Sequence, residues 1–399
     1  MKKIILIYFL TLSANSFAVS FNDAIGILQK HESIESLRGQ SKASKEQGAI
    51  KGSWGDPTLK ISAKNFPQES LKNNETPMTG VEFAISQKVA LSTKFGNVEQ
   101  AFNSLAKAYN YQAEDRKELL TRGLWEILIL KRQINNEKKI LRENLAWLIK
   151  ILKVTKKLYA NGKKSQQAIL DLEIRKSETE SELSNKQYDF KNLTDKLNYL
   201  IGFENIDSKT IPWQKLNQIS ISVVDNKEMN LKEKLNSSKF YLTAAKLNYI
   251  PDMTISVGLT KRSDFDDVGD FISASISFPL PFSGKKYSKH GRAKYKKNVA
   301  KNNYENYKLI KKRNVSMVKN DLDKIVAQLN ILKSKTVKFA GNSRTITAKS
   351  YALGGSTYVE LLQSELKLQE ILMLKIMLES KRDIQKITLK YILGESLNE

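Results

Sequence analysis

The side chains that most often carry enzyme chemistry are scarce in this sequence. It contains two histidines, His31 and His290, and no cysteine. The histidines lie in separate polar stretches, and neither has a partner at the spacing of a metal site. No phosphate-binding loop or nucleophile elbow occurs. We therefore predict a protein that is not an enzyme, holds no metal or other cofactor, and has no disulfide framework.

The most informative residues lie instead in a turn that occurs twice. The stretches Tyr159 to Gly202 and Tyr351 to Gly394 are related by a constant offset of 192 residues without a gap. Both begin Tyr-Ala-x-Gly and end Leu-x-Tyr-x-x-Gly. Each beginning predicts the end of one helix, followed by Gly162 or Gly354 in the left-handed conformation with positive φ. The next helix then starts with Ser165 or Thr357 as its N-cap. Thr357 and Glu360 also have the spacing of a capping box.

Long helical segments lead into both turns. The segments from about Asn97 to Ala160 and from Lys286 to Ala352 contain no proline. Each predicts a helix of roughly 64 to 67 residues, which is roughly 100 Å long. The other predicted helices are Asn22 to Lys51, about 164 to 201, about Leu231 to Tyr249 and about 357 to 393. Shorter helices stacked end to end would match the long ones in length.

Four stretches alternate between apolar and polar residues, which is the pattern of β-strands with two different faces. The predicted strands are Thr58 to Lys64, Val81 to Val89, Met253 to Leu259 and Phe271 to Phe278. A soluble, half-buried sheet would show the same alternation. Each strand is nevertheless close to the length that a tilted transmembrane strand needs, about 9 to 11 residues.

The N-terminus resembles an export signal. Lys2 and Lys3 precede the apolar run Ile4 to Leu12, and the small residues Ser16 and Ala18 fit a signal-peptidase site. We predict a cleaved signal peptide at residues 1–18. The apolar run is too short for a transmembrane helix, and no later run approaches the roughly 18 apolar residues required.

The chain is strongly basic, with a formal net charge of +24. Such a charge can indicate nucleic-acid binding. Export argues against a nucleic-acid partner, and the lysines are scattered through long helical segments and rarely alternate with aromatic residues in a stacking pattern. We therefore predict no nucleic-acid binding, and favour solvated helix faces or attraction to anionic lipid.

Four strands cannot close a membrane barrel, because the smallest bacterial outer-membrane barrels have eight. An open sheet edge is not tolerated in lipid. If the strands cross a membrane, several chains must therefore share one β-barrel, and their long helices would continue it as an α-helical barrel. Such an assembly is a conduit.

At this point the sequence resembles a family, the outer-membrane efflux proteins of TolC type. The resemblance covers nearly the whole chain after residue 18. It rests on the duplicated order of helix, two strands, long helix and shorter helix. It also rests on the two turns, Tyr-Ala-Asn-Gly162 and Tyr-Ala-Leu-Gly354. The second turn is followed by Val359-Glu-Leu-Leu362. Asp56-Pro-Thr-Leu-Lys-Ile-Ser with Asn65-Phe66-Pro67, and Ile276-Ser-Phe-Pro-Leu-Pro-Phe282, look like the heavy-metal cation branch.

The resemblance implies a fold that is mainly α with membrane β-strands. It implies a homotrimer in the outer membrane, with a shared twelve-stranded β-barrel in lipid and a periplasmic α-barrel. It also implies docking of the helical tips on a periplasmic adaptor protein that serves an inner-membrane pump or a type I secretion system. The tip residues would be Tyr159, Asn161, Gly162, Tyr351, Gly354, Gly355 and Thr357.

The resemblance further implies a pore gate just after the second turn. Glu360 falls on an acidic gate position, but the next acidic position is Gln363 here and a basic one is Ser356. The counterpart of Glu360 in the first repeat is Ala168. The ionic latch of the family is therefore incomplete in this chain, and Glu360 has two open roles, as a gate residue and as the capping-box partner of Thr357.

These patterns predict five regions. They are a signal peptide at 1–18, a first repeat at 19–202, an equatorial connector at 203–230, a second repeat at 231–394 and a tail at 395–399. The predicted function is an outer-membrane exit duct that extends into the periplasm. The main alternative is a soluble periplasmic coiled-coil adaptor or scaffold, which would explain the long helices but not two duplicated strand pairs.

Overall fold

A computed structural model describes residues 18–218, 223–262, 269–280 and 282–397. The predicted signal peptide, apart from Ala18, lies outside the described residues. So do small parts of the predicted connector, of the loop between the third and fourth strands, and of the tail. None of the described helices combines the length and the apolarity that crossing a bilayer requires.

The described residues of the first half of the chain form four helices and two strands. They are α1 (Phe21–Leu28), α2 (Glu32–Gly52), β1 (Thr58–Lys64), β2 (Gly80–Ala90), α3 (Lys94–Ala160) and α4 (Gln166–Ile201). A short 3₁₀ helix, Trp213–Asn217, follows. The second half contains α5 (Asn226–Leu247), β3 (Asp252–Arg262), β4 (Phe271–Ser277), α6 (Lys285–Ile331), α7 (Val337–Ala352) and α8 (Tyr358–Leu393).

The predicted elements are present, with two corrections to the helices. The predicted helix from Asn22 to Lys51 is broken, because the ring Nδ1 of His31 accepts the backbone N–H of Ser33 at 3.2 Å and caps the start of α2. The second long helix is interrupted by a π-helical turn at Leu332–Thr336, which separates α6 from α7.

The chain divides into two compact units. We call residues 35–114 and 226–310 the sheet unit, and the remainder of the described chain the helical unit. The four strands all lie in the sheet unit, and both helical turns lie in the helical unit.

In the sheet unit the strands form one antiparallel sheet in the order β1-β2-β3-β4. Its centre pairs β2 with β3, so the two halves of the chain share one sheet. Apolar residues form cross-strand rows on one face, because successive residues of a strand point to opposite faces. One row is Ile61, Phe83, Leu259 and Ile272, and the next is Leu59, Ile85, Val257 and Ala274. Among the residues that the structure describes, β1 and β4 each have one edge without a partner strand.

In the helical unit, apolar residues of α6, α7 and α8 pack together. The cluster contains Ile325, Leu329, Leu332, Ala340, Leu368, Ile371 and Leu378. A second cluster, at Leu148, Leu152 and Leu172, joins α3 to α4. Trp213 of the connector packs edge-on against Trp125 of α3, with ring centroids 5.9 Å apart. These contacts hold the helices that present the turns.

Two glycines at equivalent repeat positions end the outgoing helices differently. Gly202 and Gly394 both have positive φ, +74° and +85°. A Cβ at Gly202 would meet no atom within 4 Å, whereas a Cβ at Gly394 would lie 2.7 Å from the backbone nitrogen of Asp225 and 2.8 Å from the carbonyl carbon of Val224. The connector therefore packs directly on the end of α8.

We expect Gly202→Ala to lower the free energy of unfolding by about 1 to 2 kcal/mol, the cost of a left-handed residue with a Cβ. Gly394→Ala should cost more, because the backbone of Val224 and Asp225 must also move. Thermal unfolding followed by helical circular dichroism measures both. Equal midpoints for the two variants would contradict the close packing at Gly394.

Candidate functional site

The first turn joins α3 to α4 and is built from backbone hydrogen bonds. The N–H of Gly162 donates to the carbonyl of Tyr159 at 2.8 Å, and the N–H of Lys163 donates to that of Leu158 at 2.8 Å. This is the Schellman arrangement, in which the residue after the helix is left-handed. Gly162 has φ +70°, as the sequence predicts. Ser165 then begins α4 as its N-cap, without a side-chain capping bond.

The second turn, between α7 and α8, repeats this geometry. Gly354 has φ +85° and donates to the carbonyl of Tyr351 at 3.1 Å, while Gly355 donates to that of Ser350 at 2.9 Å. The predicted capping box is present. The Thr357 hydroxyl accepts the N–H of Glu360 at 3.2 Å, and the Glu360 carboxylate accepts the N–H of Thr357 at 2.9 Å. The second turn is therefore fixed to its outgoing helix more firmly than the first.

Direct contacts connect the two turns. The Lys164 ammonium donates to the carbonyl of Ser356 at 3.1 Å and lies 4.6 Å from the ring centroid of Tyr351. The Tyr351 hydroxyl forms a 2.9 Å hydrogen bond with the Thr155 hydroxyl. A hydrogen bond to Asp171 raises the pKa of Tyr358, at the start of α8. Because these contacts join α3 and α4 to α7 and α8, the turns form one surface, which we call the paired turns.

The structure brings the predicted tip residues together, but it presents only some of their side chains. Tyr159 is 45% exposed, and Asn161, Gly162, Gly354, Gly355 and Thr357 are also exposed. Tyr351 is fully buried, with 0% exposure. Its side chain supports the paired turns from inside and does not offer a contact surface to a partner. The predicted gate residues Glu360 and Gln363 are exposed on the first turns of α8.

Several supporting residues were missed at the level of sequence. Lys164 and Ser356 occupy equivalent positions in the two repeats, so the offset of 192 residues already pairs them. That spacing is the one signal that could have indicated their contact. Thr155 gives no such signal, because a threonine inside a long helix most often bonds only to the preceding turn. It does so here, to the carbonyl of Ile151, while also reaching Tyr351.

A buried polar network lies further along the same helices. Gln369 of α8 accepts hydrogen bonds from Asn144 of α3 and from Arg175 of α4, and donates to Glu182. Close to it, Glu365 is 3% exposed, and its carboxylate lies 3.5 Å from the Arg344 guanidinium. Burial raises the pKa of Glu365, against the opposing effect of Arg344. The network ties α8 to the neighbouring helices through polar contacts that must be satisfied for burial.

Among the residues that the structure describes, no group of three or more histidines, cysteines or acidic residues is arranged to hold a metal ion. The paired turns expose Tyr159 and Leu353 together with small polar residues and backbone groups, which is a surface suited to recognition.

Comparison with solved structures finds the same fold in outer-membrane channels. The outer-membrane protein VceC from Vibrio cholerae has a TM-score of 0.77 and 16% identity, over 94% of this chain and 96% of that chain. The outer-membrane channel OprN has a TM-score of 0.79 and 14% identity, over 95% of this chain and 90% of that chain. CusC, a protein that forms a transmembrane channel, has a TM-score of 0.76 and 15% identity, over 98% of this chain and 97% of that chain.

No protein-family model matches the sequence, and no curated protein does. At these identities the structural likeness shows the fold. The predicted fold class, with long duplicated helices and four strands per chain, is therefore confirmed, and so is the resemblance to TolC-type channels at the level of fold. The assignment to the heavy-metal branch stays a prediction.

The raised pKa of Glu365 has a consequence for stability. The pKa of this carboxyl is higher in the folded protein than in the unfolded chain, where it is about 4.3. Its contribution to stability is therefore fully present at a pH below the unfolded pKa. The contribution is lost as the pH rises through the folded pKa. We expect Glu365→Gln to gain thermal stability relative to the wild type as pH rises from about 4 to 7. Melting temperatures across this range measure the difference.

Glu173→Gln is the matched control, because Glu173 has the equivalent position in the first repeat and pairs with Lys156 on an exposed surface. A pH-independent difference between wild type and Glu365→Gln would contradict the account of Glu365.

Proposed function

We propose, from the fold shared with outer-membrane channels, that three copies of this chain form an exit duct in the outer membrane. The duct would extend into the periplasm and dock through the paired turns on a periplasmic adaptor, which links it to an inner-membrane pump or a type I secretion system. The observation that carries the proposal is the sheet, which combines an exposed apolar face with two unpaired edges.

The apolar face is exposed along its whole width. Its exposed members include Leu59, Ile61, Phe83, Ile85, Ile255, Val257, Leu259, Ile272 and Ile276. Soluble proteins rarely leave so large a contiguous apolar surface in water. Contact with the hydrocarbon of a bilayer would remove it from water, as on the outer surface of membrane β-barrels.

The unpaired edges support an assembly of several chains. In lipid every backbone N–H and C=O must have a partner within the protein, so β1 and β4 cannot remain as edges. Pairing β4 of one copy with β1 of the next provides those partners. Three copies would contribute twelve strands, an even number above the minimum of eight for bacterial barrels.

The paired turns are the proposed docking surface. Their exposed glycines and small polar residues leave backbone groups open to a partner, which suits recognition by shape and hydrogen bonding. Tyr351 would act by holding the turns in place. We also propose Glu360 and Gln363 as pore-facing residues, although the capping box already accounts for one oxygen of Glu360.

No observation favours the soluble adaptor. An adaptor would carry a compact β-rich domain, and in the described ranges the named strands all belong to the one four-stranded sheet. The exposed apolar face would also be a liability in a soluble protein.

The faces of the edge strands give a direct test. We expect Ile61→Lys and Ile276→Lys to impair membrane assembly, because a lysine on the lipid face near the midplane costs roughly 2 to 4 kcal/mol. The adjacent changes Ser62→Lys and Ser275→Lys place the same charge on the opposite face and should be tolerated. Yields of heat-modifiable oligomer in outer-membrane fractions provide the measurement. Equal yields for the two sets would contradict contact between the apolar face and lipid.

The paired turns give a second test. Gly354→Val should strain the turn by about 1 to 2 kcal/mol, because φ +85° is unfavourable for a β-branched residue. No atom lies within 4 Å of the added Cβ, so the change should remain local. We expect normal oligomer yield, with loss of crosslinking from position 161 to the adaptor in the native envelope and loss of efflux.

Gly341→Val is the control, since Gly341 lies on α7 with open space around its Cβ and ordinary φ. Normal crosslinking and efflux with Gly354→Val would refute docking at the paired turns.

A further inference from the structure

A basic cavity of about 750 Å³ lies in the sheet unit. It is formed where the strands meet the helices, by the end of β2, the start of β3, and residues of α2, α3, α5 and α6. Lys88 and Asp252 project into it from the sheet face opposite the apolar rows, since they alternate with Val89 and Met253 along their strands. The cavity is therefore on the polar side of the sheet.

Six cationic side chains line this cavity, against one carboxylate. The cations are Lys51, Lys88, Lys94, Lys289, Arg292 and Lys296. The carboxylate, Asp252, pairs with Lys94 at 2.5 Å and with Lys88 at 3.0 Å. In the described part of the chain, the other four cations have no carboxylate within 4.0 Å. The cavity thus has a large positive charge that the protein itself does not neutralise.

Three of the lining cations come from α6. Lys289, Arg292 and Lys296 are spaced by three and four residues, so they share one face of the helix. Lys294 and Lys301 belong to the same helix but do not line the cavity. These three side chains are exposed, so they add positive charge to an open, water-accessible surface.

The remaining lining is partly apolar. Phe95 and Phe102 of α3 face Tyr241 of α5, and the rings of Phe102 and Tyr241 are in edge-to-face contact at 5.7 Å. Charged walls over a low-dielectric surface concentrate ions of opposite sign. Cations beside aromatic rings therefore favour solutes that combine a negative charge with an apolar or aromatic part.

We propose that this cavity, which we call the basic vestibule, forms part of the inner wall of the duct and selects anionic, partly apolar solutes. The proposal rests on the function proposed above, because the lipid-facing side of the sheet defines the opposite side as the inside. It deepens that function by naming the class of substrate. Metal cations, which the resemblance to the heavy-metal branch suggests, would be repelled from the basic vestibule.

Purified trimers in planar bilayers test this with a KCl gradient. We expect the ratio of chloride to potassium permeability to exceed about 2 at about 0.1 M salt. The ratio should approach unity at about 1 M salt, because the Debye screening length falls from about 10 Å to about 3 Å. Benzenesulfonate should block the current at lower concentration than phenyltrimethylammonium, which has the same ring and the opposite charge.

A matched pair of variants locates the effect. Lys289→Gln with Lys296→Gln removes from the basic vestibule two charges that are seven residues apart. This double variant should bring the permeability ratio closer to unity and weaken the benzenesulfonate block roughly threefold. Lys294→Gln with Lys301→Gln removes two charges at the same spacing outside the vestibule and should change neither. Yield of heat-modifiable trimer controls for folding.

The outcomes separate the inference from the function on which it rests. Conducting trimers with a permeability ratio at or below unity, or equal effects of the two double variants, would overturn the basic vestibule but leave the duct. Trimers that never conduct would overturn the duct itself.

Discussion

The unpaired backbone groups at the edges of the sheet are the constraint on which the rest of the structure depends. In the described part of the chain, β1 and β4 each leave a row of N–H and C=O groups without a partner strand, beside a face of exposed apolar side chains. Water can solvate the edges but not the face, and lipid can accept the face but not the edges. In the proposed duct, neighbouring copies of the same chain would pair the edges, and lipid could then cover the face.

The helices follow from this constraint. Each of β1 to β4 connects directly to a helix, so an assembly that closes the sheet also brings the helices of several copies together. Within one chain, the first half of α6 is mostly exposed and carries nine basic residues against one acidic residue between 285 and 310. Such a helix has little to bury against in a single copy. Its apparent lack of packing is what a protomer of a larger assembly would show.

Much of the fold could be predicted because local sequence determines it. The alternation at Thr58 to Lys64 predicts β1 at its observed bounds, and the glycines of the two turns have the predicted positive φ. The missed features depend on tertiary contacts. His31 gives no sequence signal for breaking a helix, yet its ring caps α2. Tyr351 belongs to an exposed motif but is buried, because Thr155 and Lys164 approach it from the other repeat.

The site could be predicted only in outline. The repeat identified both turns, and the capping box of Thr357 and Glu360 followed from spacing alone. The basic vestibule could not be predicted, since the cations of α6 meet Lys51, Lys88 and Lys94 only when the strands and helices pack together. Net charge indicated an excess of lysine without indicating where it concentrates. The repeat boundaries at 19–202 and 231–394 stay predictions.

Disulfide crosslinking between the edge strands tests the central claim most directly, because the chain has no native cysteine. We combine Ser62→Cys in β1 in turn with Ser273→Cys, Ser275→Cys or Ser277→Cys in β4, so that both thiols lie on the polar face. Neighbouring strands that pair bring Cα atoms within the roughly 4.4 to 6.8 Å that a disulfide spans. The account predicts covalent dimers and trimers in outer-membrane fractions for at least one of these pairs, and none when Ser62 is combined with Ile276 on the opposite face. Monomers from every pair, with the protein correctly exported, would contradict it.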